Sequence, residues 1–127
     1  MRHLSIARFG FSLLLILTVA VGCNRSSSGP PESLPIEQVP TALLKAFTKA
    51  KPEAKDLVNE IVGALQAQDY SKAYLALQTL AARPGLDKEQ ISVTTRGSLT
   101  VNGLLQTAQS KGDAQAAETL KSYRINK

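Results

Sequence analysis

Residues 52–65 read Pro-Glu-Ala-Lys-Asp-Leu-Val-Asn-Glu-Ile-Val-Gly-Ala-Leu, and this stretch decides the fold class. Its apolar residues recur at intervals of three and four, which places them on one face of an α-helix. Pro52 suits the first turn of a helix, because a proline there has no N–H to leave unpaired. The stretch predicts an amphipathic helix whose buried stripe is Ala54, Leu57, Val58, Ile61, Val62 and Leu65.

The helical spacing continues on both sides of this stretch. Before it, a shorter helix is indicated that ends at Lys51, since a residue before proline avoids helical angles. After it, Asp69, Asp87 and Asp113 stand where helix N-caps are expected, and Asp87 with Gln90 has the spacing of a capping box. The apolar residues that mark these four helices are Leu43, Leu44, Phe47 and Ala50; Ala73, Tyr74, Leu77, Leu80 and Ala81, which are predicted to form a buried face; Val101, Leu104, Leu105 and Ala108; and Ala116, Ala117, Leu120 and Tyr123.

The helix predicted from Asp87 to about Lys111 has the least regular sequence. Its first half is rich in β-branched residues, and Gly97 and Gly103 each weaken a helix by up to about 1 kcal/mol. The Asp87 cap and the return of the apolar period after Gly97 favour a helix with a kink near that glycine. Residues 40–127 are therefore predicted to form an all-α domain, a small bundle of about five short antiparallel helices.

Two parts of this domain share a pattern. Residues 58–73 and residues 101–117 each contain a helix, a turn capped by aspartate and a second helix. Duplication of a helical hairpin and convergence on the same turn chemistry both account for the similarity. Residues 69–84 resemble the second helix of a tetratricopeptide repeat, although the helix before them departs from that family's pattern. The resemblance implies repeat-like hairpins rather than a tetratricopeptide array.

Residues 1–22 have the three parts of a secretory signal peptide. Arg2 and Arg8 supply a positive start, and an almost uncharged apolar run extends from Phe9 to Val21. The run is shorter than the roughly 18 apolar residues of a transmembrane helix. We therefore predict a cleaved leader, followed by a flexible tether over residues 23–39, where serine, glycine and proline are frequent.

The end of the leader, Ala20-Val21-Gly22-Cys23, resembles the lipobox of bacterial lipoproteins. Gly22 fits the small residue before the cleavage site, whereas Ala20 stands where leucine is usual. The resemblance implies cleavage before Cys23, a diacylglycerol joined to its sulfur, and acylation of the new N-terminus with a fatty acid such as palmitate. Two or more acyl chains hold a protein lastingly at a membrane. An ordinary signal peptide with an incidental cysteine and an uncleaved anchor are the alternatives.

Cleavage would leave few side chains suited to catalysis. It removes His3, the only histidine, and acylation would use the only thiol, so that the usual general base, metal ligand and cysteine nucleophile are lost. Glu53, Asp56 and Glu60 share a helix face, but neighbouring lysines favour a solvated, ion-paired surface over an acid–base pair. We predict no enzyme and no cofactor or metal site.

Charge and aromatic content narrow the partners. Removal of the leader lowers the net charge from +5 to +3, with 13 basic and 10 acidic residues. Such a small excess, in the compartment predicted, is not typical of a nucleic-acid-binding protein. Tyr70, Tyr74 and Tyr123 have two interpretations, a groove for a sugar or peptide and packing between helices. The scarcity of other aromatic residues favours packing.

The whole chain is similar to small bacterial lipoproteins of unknown function, a resemblance that implies a location and no activity. We expect a module anchored to a membrane of the bacterial cell envelope through acylated Cys23, which binds a protein partner there or has a structural role. The alternative is a link to peptidoglycan. The C-terminal residues Tyr123-Arg124-Ile125-Asn126-Lys127 resemble the Tyr-Arg-Lys end of Braun-type lipoproteins, with two residues intervening.

Overall fold

The computed structural model describes residues 29–126. A 3-10 turn at Ile36–Gln38 leads into helix α1 (Val39–Ala46), and four further helices follow: α2 (Pro52–Gln66), α3 (Tyr70–Ala81), α4 (Lys88–Ser110) and α5 (Ala114–Ile125). The described part of the chain contains no strand. The prediction of an all-α fold with about five helices is therefore confirmed.

Three helices begin at the aspartates that the sequence marks as caps. Asp69 and Asp113 each accept a hydrogen bond at 3.0 Å from the backbone N–H three residues later. Asp87 accepts from the Gln90 backbone N–H at 2.8 Å, and the Gln90 side chain accepts from the Asp87 N–H at 3.0 Å, which completes the capping box. These carboxylates satisfy N–H groups that a helix start leaves unpaired, so their role is structural.

Helices α1 to α4 form a four-helix bundle. Each contacts the next along the chain, and α1 also contacts α4, which closes the ring. Among the described helices, the pairs α1–α3 and α2–α4 are not in contact, so they occupy opposite corners. Helix α5 packs along α4 and touches α3. The outer surfaces of α2 and α4 therefore point to opposite sides of the domain.

The core lies along the axis of this bundle. Its largest fully buried side chains include Phe47, Leu43, Ile61, Leu77 and Leu105. The predicted burial of Ala81 is wrong, because it is exposed, and Leu44, one of the residues that mark the first helix in the sequence, is exposed as well. Leu44 follows Leu43 directly, and adjacent residues on a helix point about 100° apart, so only one of the two can face the core. Helix α1 also ends at Ala46, earlier than predicted.

The folded part of the chain begins before residue 40. Leu34 is 8 % exposed and Val39 is fully buried, and Ile36 packs against the same core. These residues fall in the segment predicted as tether. Proline prevents a regular α-helix there, but it does not prevent apolar neighbours from burying their side chains. The structure thus extends the domain into the second half of that segment.

The two hairpin turns have the same backbone geometry. Gln68 after α2 has φ 56° and Gly112 after α4 has φ 91°, both in the left-handed region. In each turn the next residue, Asp69 or Asp113, donates its N–H to the carbonyl five residues earlier, at 2.9 and 3.0 Å. This is the Schellman motif that ends many helices. The shared pattern in the sequence therefore corresponds to a shared turn, which duplication and convergence explain equally well.

Exchanging the two left-handed residues should change stability in opposite directions. Gln68→Gly is expected to raise the free energy of unfolding by about 0.5–1 kcal/mol, because glycine has no Cβ to clash at positive φ. Gly112→Gln should lower it by about 1 kcal/mol for the same reason. Urea denaturation of both variants measures the effects. A loss of stability in Gln68→Gly would contradict the prediction.

Candidate functional site

The residues with a predicted chemical role lie at the ends of the chain. Cys23, the proposed lipid-attachment residue, and its flank Ala20, Val21 and Gly22 are outside the described residues, as is Lys127. Their roles stay predictions. The structure does describe how the chain that follows Cys23 joins the domain, and that junction is the candidate functional region.

Residues 32–38, which we call the strap, are attached to the middle of α4. Arg96 Nε donates to the Glu32 carbonyl oxygen at 2.8 Å. One turn later, the Thr100 hydroxyl donates to the Leu34 carbonyl oxygen. The Leu34 side chain is buried beside these bonds, and the 3-10 turn of the strap also contacts α4. The chain therefore leaves the domain at a defined point, near Glu32, rather than at the start of α1.

The outer face of α4 adjoins this exit point. Two large aliphatic side chains are exposed on it, Ile91 (52 %) and Leu99 (41 %). The helix carries two basic residues, Lys88 and Arg96, and one carboxylate, Glu89, and it has no charged residue from position 97 to 110. The exposed residues of α4 are Lys88, Glu89, Ile91, Ser92, Leu99, Gly103, Gln106, Thr107, Gln109 and Ser110. The face is thus apolar or neutral over most of its length.

The opposite corner of the bundle has a different character. Glu53, Asp56 and Glu60 are all exposed on α2, whose only basic residue is Lys55. Glu60 lies 3.9 Å from the Lys72 ammonium on α3. The described residues contain no group of three His, Cys, Asp or Glu side chains placed to hold a metal ion. The structure therefore places the α2 carboxylates on a solvated surface, as the sequence predicts.

Three grooves lie away from the outer face of α4. The largest, of about 500 Å³, is bordered by Lys49, Lys51 and Arg83 together with Glu53 and Asp87, so charges of both signs line it. A second of about 450 Å³ lies between α2, α3 and α5 and includes exposed Leu75. The smallest, about 270 Å³, lies between α1 and α2. In the second groove the Thr119 hydroxyl donates to the Ser71 hydroxyl at 3.0 Å.

The tyrosines pack between helices. Tyr74 on α3 is 3 % exposed, and its ring meets that of Tyr123 on α5 edge to face, with the centroids 5.5 Å apart. Edge-to-face pairs of this kind stabilise by about 0.5–1.5 kcal/mol beyond the area they bury. Tyr70 and Tyr123 are half-buried against the core. The packing interpretation of the three tyrosines therefore agrees with their positions.

Burial raises the pKa of the Tyr74 hydroxyl from 10.0 to about 12, with smaller contributions from the charge and hydrogen bond of Tyr123. The fold favours the neutral phenol, so this stabilisation is complete below pH 10 and is lost as pH rises from about 10 to about 12. We expect the loss to reach about 2 kcal/mol in the free energy of unfolding. Denaturation from pH 8 to 12 measures it, with tyrosinate absorbance as an independent readout.

Tyr74→Phe is the control for this titration, because it keeps the ring of residue 74 and removes the hydroxyl whose pKa is raised. Above pH 10, the free energy of unfolding of the original protein should fall relative to that of Tyr74→Phe. Parallel curves up to pH 12 would show that Tyr74 titrates as it does in an unfolded chain.

Sequence reasoning missed the strap and the outer face of α4. A signal for the strap is present, since Leu34, Ile36 and Val39 place apolar side chains two and three residues apart in a segment otherwise polar or proline-rich. The outer face of α4 has no comparable signal in the sequence. Its place opposite α2 depends on how the helices are arranged in the bundle, which no local pattern predicts.

Helices long and apolar enough to cross a bilayer are absent from the described part of the chain. Comparisons of the sequence and structure with protein-family models, curated proteins and solved structures gave no match.

Proposed function

We propose that this chain is the precursor of a bacterial lipoprotein, anchored to a membrane of the cell envelope through acylated Cys23. The observation that carries the proposal is the order of features at the N-terminus: two arginines, an apolar run, and Ala20-Val21-Gly22-Cys23 with the chain's only cysteine. Acylation also explains a lone thiol in an exported protein, where a free thiol would otherwise be exposed to oxidation.

We further propose that the helical domain acts by binding or by a structural role, not by catalysis. Processing would remove the histidine and use the thiol. Three of the remaining carboxylates accept hydrogen bonds from backbone N–H groups at helix starts, namely those of Asp69, Asp87 and Asp113. They therefore already have a structural role. The surfaces left for function are the grooves and the outer face of α4, which are suited to contact with a partner. Affinity capture of the lipidated protein from envelope extract tests this role, and no reproducible partner would count against it.

Acylation is tested by comparing the original protein with Cys23→Ala in a bacterial host that processes lipoproteins. We expect the original protein to incorporate labelled palmitate and to have the mass of a chain that begins at an acylated Cys23. Cys23→Ala should incorporate no label, because the acceptor sulfur is gone. Ser26→Ala, three residues away, is the matched control and should behave like the original. Equal labelling of both proteins would contradict the proposal.

The alternative, a covalent link from Lys127 to peptidoglycan, requires a separate measurement. Muropeptide analysis of purified sacculi would detect a C-terminal peptide of this chain attached to the cell wall. Its absence would leave the lipid as the only proposed anchor.

A further inference from the structure

We propose that the outer face of α4 lies against the phospholipid bilayer to which Cys23 is anchored. The inference rests on the proposed function, since it needs the lipid on Cys23. It goes further by naming the surface of the domain that faces the membrane and the strap as the element that orients it. The occupant of this face is the headgroup region of that bilayer.

The length of chain before the strap limits how the domain can turn. Glu32 follows Cys23 by nine residues, and nine residues span at most about 30 Å when fully extended. Without the strap the free segment would reach Val39, the first residue of α1, and its extended length would be about 55 Å. The bonds from Arg96 and Thr100 therefore halve the reach of the anchor.

This reach favours one side of the bundle. Helices in a bundle lie about 8–10 Å apart and each is about 10–12 Å wide, so the outer surface of α2 lies roughly 25 Å across the domain from that of α4. To place α2 on the bilayer, the nine residues would have to run around the bundle at nearly full extension. To place α4 there, a span well below that maximum is enough, because Glu32 is bonded to α4 itself.

The charges of the two helices differ in the same sense. Helix α2 carries three carboxylates and one lysine, whereas α4 carries Lys88 and Arg96 against Glu89, with exposed Glu32 and Glu37 on the strap beside it. Anionic headgroups attract basic residues at a membrane surface and repel carboxylates. Exposed Ile91 and Leu99 add aliphatic side chains that an amphipathic helix buries at the headgroup boundary. The outer face of α4 thus suits a phospholipid surface better than the outer face of α2.

The test uses the purified, lipidated protein in vesicles of phosphatidylethanolamine and phosphatidylglycerol that contain a doxyl-labelled lipid. A fluorophore is attached to Leu99→Cys on α4 or, in the matched control, to Asp56→Cys on α2; both positions are exposed. Acylation blocks Cys23, so the new cysteine is the only free thiol. We expect the doxyl lipid to quench roughly half of the fluorescence at position 99, where the side chain meets the headgroups, and almost none at position 56.

Releasing the strap tests whether it sets the orientation. In Arg96→Gln combined with Thr100→Val, both bonds to the strap are lost. The difference in quenching between positions 99 and 56 should then fall at least twofold, while circular dichroism shows the helices intact. An undiminished difference would overturn the role of the strap.

The outcomes separate this inference from the proposed function. Equal quenching at positions 99 and 56, in protein whose mass shows the acyl chains, would overturn the membrane-facing assignment. Disulfide formation between two copies of unlabelled Leu99→Cys, with no lipid quenching of the labelled protein, would overturn it in favour of self-association through α4. A mass without acyl chains would instead contradict the proposed function itself.

Discussion

Phe47→Ala is expected to lower the free energy of unfolding by about 3–5 kcal/mol, the usual cost of removing a fully buried phenylalanine. Phe47 is 1 % exposed and is the C-cap residue of α1. Its side chain belongs to the core and also lines the groove between α1 and α2. Alanine would leave a cavity that the short α1 cannot close. Because small domains are stable by only about 5–15 kcal/mol, the change should remove much of the total. Urea denaturation provides the measurement.

Leu44→Ala is the matched control for Phe47→Ala. Leu44 lies in the same turn of chain but is 47 % exposed, so its truncation should cost less than about 1 kcal/mol. Similar losses in the two variants would mean that α1 is not packed as the structure shows, and that the buried face of this helix has been assigned incorrectly.

The contrast between Leu43 and Leu44 shows what the sequence can and cannot predict. In α2, six apolar residues recur over three turns, and their average direction defines the buried face. In α1, two turns of helix contain adjacent leucines, and either could face inward. Which one does so depends on where α2 and α4 lie, and that is a tertiary fact. The three aspartate caps were predictable because a cap needs only local spacing.

The same contrast between local patterns and tertiary contacts applies to the candidate site. Cys23 and its flank are a local pattern, so the prediction of an anchor comes from the sequence alone. The strap depends on contacts between Glu32 and Arg96 and between Leu34 and Thr100, which are 64 and 66 residues apart. No local spacing predicts such contacts. The segment therefore resembled a linker, because prolines and serines dominate its composition.

Gly97→Val is expected to lower the free energy of unfolding by about 3 kcal/mol, at the upper end of the cost of overpacking a core. A Cβ at Gly97 would lie 3.2 Å from Val39 Cγ1 and 3.7 Å from Leu77 Cδ2. Both neighbours are fully buried, so neither can move aside without displacing others. Gly97→Ala should be nearly neutral, since the tight contact opposes a gain of about 1 kcal/mol in helix propensity.

Gly103, in the same helix, is the control that separates these effects. It is exposed, and a Cβ added there would meet no atom within 4 Å, so Gly103→Ala should raise stability by up to about 1 kcal/mol. Equal costs for Gly97→Val and Gly103→Val would show that no close contact requires glycine at position 97.

Of the two glycines predicted to weaken α4, only Gly97 thus has a close contact that requires glycine. Helix α4 continues through both of them from Lys88 to Ser110, and the close approach of Val39 explains only Gly97. Val39 directly follows the strap, so a larger side chain at position 97 would push on the residue that links the strap to α1. If the strap orients the domain, Gly97→Val should also reduce the quenching difference between positions 99 and 56. Gly103→Ala, which leaves Val39 in place, should preserve it.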